Sequence, residues 1–292
     1  MYCQNNHPGG VSSLKNGLAL LERQVLYNKS ENAKKVVFTA VTGGYDHGYP
    51  LKIKDPETDY IYFHDGNIRE LEGWITIRIP FWYRSDQRTA KLIKILPQYF
   101  LSSYSESIWI DGNRIIKSSI WPLLNSLDSD LAMFLHHSRK TLKQEVMECQ
   151  KWRKDNVKVL AKQYDQYLRL GFDDSVGLFQ GSFIYRRHHS ERVAILMQSW
   201  WNEIDSHSVR DQISLPYCVW KEKVYPSIIK GNPNFNEYFE TVFHAMPYVA
   251  DAGSYARMIA MFSVFVKRVP RLNSILRAIK KIKHKMKFGE KE

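Results

Sequence analysis

The stretch Ser107-Ile108-Trp109-Ile110-Asp111-Gly112-Asn113 decides how this chain is read. A short apolar run ends abruptly on Asp-Gly-Asn, the signature of a strand running into a turn. Upstream, three more runs share that build. Lys35-Val36-Val37-Phe38-Thr39-Ala40-Val41 stops at Thr42-Gly43-Gly44, residues 59–63 stop at His64-Asp65-Gly66-Asn67, and residues 74–79 stop at Pro80. Between the third run and the quoted one the period changes. Over residues 86–100, Ala90, Ile93 and Leu96 share a helical face, with Arg88, Lys91 and Lys94 as polar punctuation. Strands mixed with helices, with turns at the strand carboxyl ends, predict an open α/β sheet that binds ligand along that edge. Farther on, residues 138–170 read as one long polar helical region, 181–185 as a strand and 190–204 as a helix. Ahead of the first strand only residues 14–27 read as helical.

A chain of 292 residues suits one sizeable domain with an appendage, and its 44% hydrophobic and 25% charged residues suit a globular one. Eight Trp and seventeen Tyr fit a groove that stacks bases or sugar rings, and equally a well-filled core. Cys3, Cys149 and Cys218 lie far apart without CxxC spacing, so neither a disulfide framework nor a zinc knuckle is expected, and a reducing compartment is. Residues 1–30 lack the apolar core of a signal peptide, and no run approaches the roughly 18 apolar residues of a membrane span. The expected location is cytoplasmic, peripheral on the inner face of a membrane.

That last expectation comes from the charge. Of the net +12, +9 falls from Ser254 onward, where eleven Lys/Arg face only Glu290 and Glu292. The near-neutral body argues against nucleic acid as a partner. In the tail, Leu272, Ile275, Leu276, Ile279, Ile282 and Met286 fall at helical spacing with Lys and Arg between them, and Pro270 suits a first turn. Such a basic amphipathic helix is expected to lie on an anionic membrane surface. The plainer alternative is a helix packed on the body with a basic outer face. The expected organisation is a polar lead-in over 1–33, one α/β domain over 34–250 and the helical tail over 251–292.

An apolar strand ending in Asp-x-Asp or a near relative suits a divalent cation, because a hard ion needs oxygen ligands and can bridge a diphosphate. Asp111 offers a carboxylate and Asn113 an amide oxygen, one charge fewer than two aspartates. The plainer reading is an Asp-Gly turn, and the identical Asp65-Gly66-Asn67 shows that both cannot hold one ion. Gly43 and Gly44 could let backbone N–H groups approach a nucleotide, without GxGxxG or P-loop spacing. Arg88 and Lys91 could pair with a diphosphate, or simply be solvated helix charges. Asp211 and Gln212 could orient a sugar or steady a positive anomeric centre, while Ser208 three residues before Asp211 could be no more than a helix N-cap. The adjacent pairs His136-His137 and His188-His189 read as polar surface. Neither GxSxG nor HExxH is present, so serine-hydrolase and zincin chemistries have no support.

Taken together, these pieces resemble a glycosyltransferase-like family of the TOD/MUCI type, formerly known only as a numbered domain of unknown function, whose plant members are linked to wall polysaccharide. The matching residues are Val37 to Asp46, Tyr62-Phe63-His64-Asp65, Arg88-Thr89-Ala90-Lys91, Ile108 to Gly112, Gln180-Gly181-Ser182 and Arg210-Asp211-Gln212. The resemblance implies a GT-A fold, a Rossmann-like mixed sheet with a nucleotide-sugar at the strand carboxyl ends. More remotely, the order of parts is similar to glycogenin-type retaining transferases. It implies Gly43, Gly44 and Asp65 toward the nucleoside, Arg88 and Lys91 at the diphosphate, and Asp211 and Gln212 as catalytic residues at the sugar. Gly181 would lie at the donor, and His137 and Arg139 near donor or acceptor. Asp111 and Asn113, with His244 as the late histidine, would hold Mn²⁺ or Mg²⁺. Asn113 stands in place of the second Asp of Asp-x-Asp, and Ile213 in place of the last Asp of Asp-Gln-Asp. The implied reaction moves a sugar from a nucleotide-sugar to a saccharide or lipid-linked saccharide acceptor in surface polysaccharide synthesis, leaning toward retention. The alternatives are a non-catalytic saccharide-binding or membrane-docking module and a lipid or glycan hydrolase.

Overall fold

The computed structural model describes residues 11–46, 48–66 and 70–242. Its elements run α1 (Val11–Asn28), β1 (Lys35–Val41), β2 (Thr58–His64), β3 (Ile75–Arg78), α2 (Asp86–Ile95), β4 (Glu106–Ile110), β5 (Arg114–Ile116), β6 (Leu131–Leu135), α3 (Leu142–Lys151), α4 (Val157–Arg169), β7 (Phe179–Arg187), α5 (Glu191–Ser206), α6 (Asp211–Glu222), β8 (Ser227–Ile228) and β9 (Phe239–Thr241). Seven strands form one sheet in the order β3-β2-β1-β4-β7-β6-β8, and β5 pairs with β9 in a small second sheet. The pairs β3–β2, β2–β1 and β1–β4 are parallel, β7 runs antiparallel to both β4 and β6, and β8 is parallel to β6. This is the expected Rossmann-like mixed α/β sheet flanked by helices.

The strand sequences explain the layering. β1 is almost wholly buried, since Val36 and Phe38 join one core cluster and Val37 the cluster on the opposite face. A strand covered on both sides must be apolar at every position, which is why it reads as a continuous run. β4 divides likewise, Trp109 to one side and Ile108 and Ile110 to the other. Helices α2, α5 and α6 supply Leu92, Ile93, Trp200 and Ile213 to the first cluster, and α1 adds Leu21 and Val25, both fully buried. The described part of the lead-in is therefore packed on the core.

Several local expectations are corrected. The helix expected over 86–100 ends at Ile95, because Pro97 disfavours helical backbone in the residue before it; Leu96 sits at φ −113°, ψ 46°, and Pro97–Tyr99 forms a 3₁₀ turn. The long helix over 138–170 is two. Arg153 takes φ 46° between them, and Asn156 caps α4 by accepting from the N–H groups of Lys158 and Val159. Strand β6 was not anticipated, since Leu-Ala-Met-Phe-Leu has no β-branched residue. His188 is not surface: its ring nitrogens contact the Leu101 carbonyl at 2.9 Å and Ser107 Oγ at 2.7 Å, and burial pulls it down to about 4. Nor is Ser208 a helix cap. Helix α6 starts at Asp211, and Ser208 Oγ accepts from Arg210 N–H while donating to Asp155 Oδ2 at 2.6 Å. Asn67, His244 and the basic tail lie outside the described residues.

Candidate active site

The parallel register brings the carboxyl ends of β1, β2 and β4 to one edge. Here the two Asp-Gly turns part company. Asp65 Oδ2 accepts the Gly43 N–H at 2.6 Å, so the first turn holds the glycine turn after β1. Gly43 sits at φ +64°, and a Cβ there would stand 2.7 Å from Asp86 Oδ2, so only glycine fits. Gly44 shares that backbone conformation but faces open space. The second turn meets charge. Asp111 N–H donates to the Ser182 carbonyl at 3.1 Å, and Asp111 Oδ1 accepts from Trp109 Nε1 at 2.8 Å and lies 3.6 Å from Lys94 Nζ. Gly112 lies against β1, where a Cβ would come within 2.5 Å of Val41 Cγ2 and 3.7 Å of Asp46 Oδ2.

Helix α2 presents Lys91 and Lys94 to this turn, one helical turn apart. Both reach Asp211 Oδ2 at the start of α6, Lys91 at 2.7 Å and Lys94 at 2.5 Å. Sequence reasoning missed Lys94, taking a lysine among Leu92, Ile93 and Ile95 for solvated punctuation; it is only 2% exposed. Its three-residue spacing from Lys91 was the available signal. Gly181 makes the room, since a Cβ on it would lie 3.2 Å from Lys94 Nζ and 3.4 Å from Asp211 Oδ2. Burial alone would raise both aspartates, yet Lys94 and Lys91 overcome it and keep Asp111 and Asp211 below the usual carboxylate range. Burial, reinforced by Lys94, brings Lys91 down to about 8 against the pull of Asp211.

A second missed residue is Arg114 on β5. It is 4% exposed, donates one guanidinium N–H to Ser182 Oγ and lies over the Phe239 ring at 4.6 Å. Among the described residues its Nε and other terminal nitrogen have no hydrogen-bond partner, and burial lowers it to about 10 against the attraction of Asp111. Ser182 thus takes Arg114 on its hydroxyl and Asp111 on its carbonyl.

The other expected residues are placed as follows. Arg88 donates to the His207 carbonyl at 2.8 Å, tying α2 to the joint between α5 and α6. Gln212 donates weakly to the Phe179 carbonyl at 3.4 Å. His137 contacts Gln180 Oε1 at 3.3 Å, and Gln180 donates onward to Asn234 Oδ1 at 2.9 Å. Arg139 pairs with the buried carboxylate of Glu145. Asp111, Lys91, Gly181 and Asp211 therefore converge, with Lys94 and Arg114 added.

Among the described residues the donor set does not suit a divalent ion. Asp111 Oδ1 already carries an indole N–H and a lysine, and the Asn113 amide N–H₂ donates to the Val242 carbonyl at 2.9 Å. Among the described residues, no three His, Cys, Asp or Glu side chains come together. A unit charge at about 4 Å from a cation costs roughly 4 kcal/mol at an effective dielectric near 20, and a doubly charged ion beside Lys94 about twice that. His244 lies outside the described residues.

Against this geometry, a family model for the TOD1/MUCI70, glycosyltransferase-like domain matches residues 65–244, well over half of the chain. The chain belongs to that family. No curated protein matches it.

Proposed function

Starting from that membership, we propose that the chain transfers a sugar from a nucleotide-sugar donor to a saccharide or lipid-linked saccharide acceptor in surface polysaccharide synthesis. One observation carries the reading: Asp111 from the end of β4 and Asp211 from the start of α6 meet on Lys94, with Lys91 also on Asp211, at the carboxyl edge of the parallel strands. That edge is where open α/β sheets take their ligands. A diphosphate needs cations, and Lys91 with Lys94 supplies them. The developing positive charge at an anomeric carbon needs a fixed anion, and the ionised Asp211 supplies it, with Gln212 beside it. Asp65 with the Gly43-Gly44 turn would flank the nucleoside, and His137 with Arg139 the donor or acceptor. The lean toward retention rests on Asp211-Gln212 matching the start of the glycogenin-type motif.

The basic tail would bring the enzyme to the cytoplasmic face of an anionic membrane, where a lipid-linked acceptor is presented. No described helix is long and apolar enough to cross a membrane. The test is turnover with a panel of nucleotide-sugars. The full chain is expected to release nucleoside diphosphate and glycosylated acceptor, and Asp111→Ala to lower the rate at least a hundredfold, in the range lost with one electrostatic group of an active site. Full turnover in Asp111→Ala would overturn the assignment. Release of free sugar or acyl group without any nucleotide donor would favour a hydrolase instead.

A further inference from the structure

We propose that Lys91, Lys94 and Arg114 form a built-in cationic clamp that offsets the diphosphate of the donor, so that donor binding needs no divalent metal. The inference rests on the donor-site reading above and deepens it.

Arg114 is the starting point. Among the described residues only one of its nitrogens is hydrogen-bonded, and it is 4% exposed. A buried guanidinium with unpaired N–H groups is costly unless an anion completes its shell. Its contacts are to Ser182 Oγ and the Phe239 face, while Asp111, the nearest carboxylate by electrostatic effect, gives it no hydrogen bond. Lys94 is equally telling. Buried lysines need a stringent reason, and this one is shared between Asp211 at 2.5 Å and Asp111 at 3.6 Å, with the Trp109 ring 5.5 Å away. Both lysines therefore converge on Asp211, and an arriving diphosphate can share them without drawing them from solvent. Lys94 also has a dedicated support. The fully buried Arg186 donates to the Lys94 carbonyl at 2.8 Å and so fixes the last turn of α2. A Cβ on Gly181 would stand 3.2 Å from Lys94 Nζ, so glycine there leaves the ammonium its place. A metal centre would want the reverse arrangement, with carboxylates uncommitted to protein cations. Here Lys91 and Lys94 already attend both Asp111 and Asp211, and Arg114 attends Asp111.

The experiment measures nucleoside diphosphate affinity of the full chain by calorimetry, with UDP, GDP, ADP and CDP as probes, once in EDTA and once with Mn²⁺. The clamp predicts that the best diphosphate binds equally well, within about twofold, in both conditions. Lys94→Met and Arg114→Met should each weaken that binding at least about tenfold, the loss expected with one charged hydrogen bond. They should weaken the matching monophosphate far less, a contrast that a general loss of packing would not produce. Binding seen only with Mn²⁺, or strengthened tenfold or more by it, overturns the proposal whatever the variants do. Equal losses for mono- and diphosphate in folded variants overturn it too. If no nucleotide binds in either condition, the donor-site reading falls first and takes the clamp with it.

Discussion

Lys91 is the charge of the site closest to changing near neutral pH. Burial and Lys94 hold it to about 8, so it is an ammonium below that pH and an amine above it. Diphosphate affinity should be level below pH 7.5 or so and fall as pH rises through about 8. Lys91→Arg, which stays charged, should remove the fall. Unfolding cannot mimic this. The folded value lies below the unfolded 10.5, so between about 8 and 10.5 the unfolded chain binds more protons and this group makes the fold more stable as pH rises. Calorimetric titrations across pH 6.5 to 9.5 check both variants. Gly181 offers a cleaner dissection of space from charge. A Cβ there presses Lys94 Nζ at 3.2 Å, a flexible tip, so Gly181→Ala should cost less than about 1 kcal/mol of stability. It should still weaken donor binding several-fold by displacing Lys94. Unchanged affinity in Gly181→Ala would show that the position of Lys94 does not matter. At this scale the sequence disclosed Asp111 at a turn, Asp211 ahead of a helix, Lys91 on a helix face and Gly181 through the resemblance. Lys94 and Arg114 were hidden because a buried cation looks in one dimension like any solvated one.

At the level of elements, the entry to α6 is held from a distance. Asp155, in the link between α3 and α4, accepts from Ser208 Oγ at 2.6 Å and Val209 N–H at 3.1 Å, three and two residues before Asp211. Arg210 N–H in turn donates to Ser208 Oγ at 3.0 Å. The kink that splits the expected single helix into α3 and α4 is what delivers Asp155 there. Asp155→Ala should take the acceptor from Ser208 Oγ and Val209 N–H, and from the exposed Asn156 N–H, costing about 1–3 kcal/mol in denaturant unfolding. It should also lower kcat more than it raises KM, since Asp211 is expected to act on the transition state. Asp155→Asn, which keeps one acceptor, should lose less on both counts. A stability loss with kcat intact would reduce Asp155 to a structural staple. Elements were legible where one pattern ruled: the doubly covered β1 and β4, or the Ala90-Ile93 face of α2. They were illegible where tertiary contacts decide, as in β6, whose Leu and Met carry no strand preference, and β9, three residues paired to β5 across more than a hundred residues of chain.

For the whole molecule, charge separates into a body and a tail. Residues before Ser254 carry only +3 of the +12, and within the candidate site Lys91 and Lys94 sit beside Asp111 and Asp211. The tail, by contrast, has +9 with almost no acid to pair with. If it lies on a membrane, each Lys or Arg near an anionic surface is worth about 1 kcal/mol, and the apolar residues at helical spacing add burial in the headgroup region. If it packs on the body instead, those apolar residues serve folding and the lysines serve solubility. The two cases separate in one set of measurements on the full chain. Changing Lys280, Lys281, Lys283, Lys285 and Lys287 to Gln keeps the helical pattern and removes five charges. Membrane association predicts that the parent binds vesicles containing phosphatidylserine and not neutral ones. It also predicts release near 1 M salt, where the Debye length shrinks to about 3 Å, and loss of binding in the five-Gln variant. Thermal stability and turnover on a soluble acceptor should stay unchanged, whereas turnover on a vesicle-borne acceptor should fall with binding. A packed tail predicts no vesicle binding by the parent, and a parent that stays in solution at low salt with anionic vesicles present would exclude the membrane role.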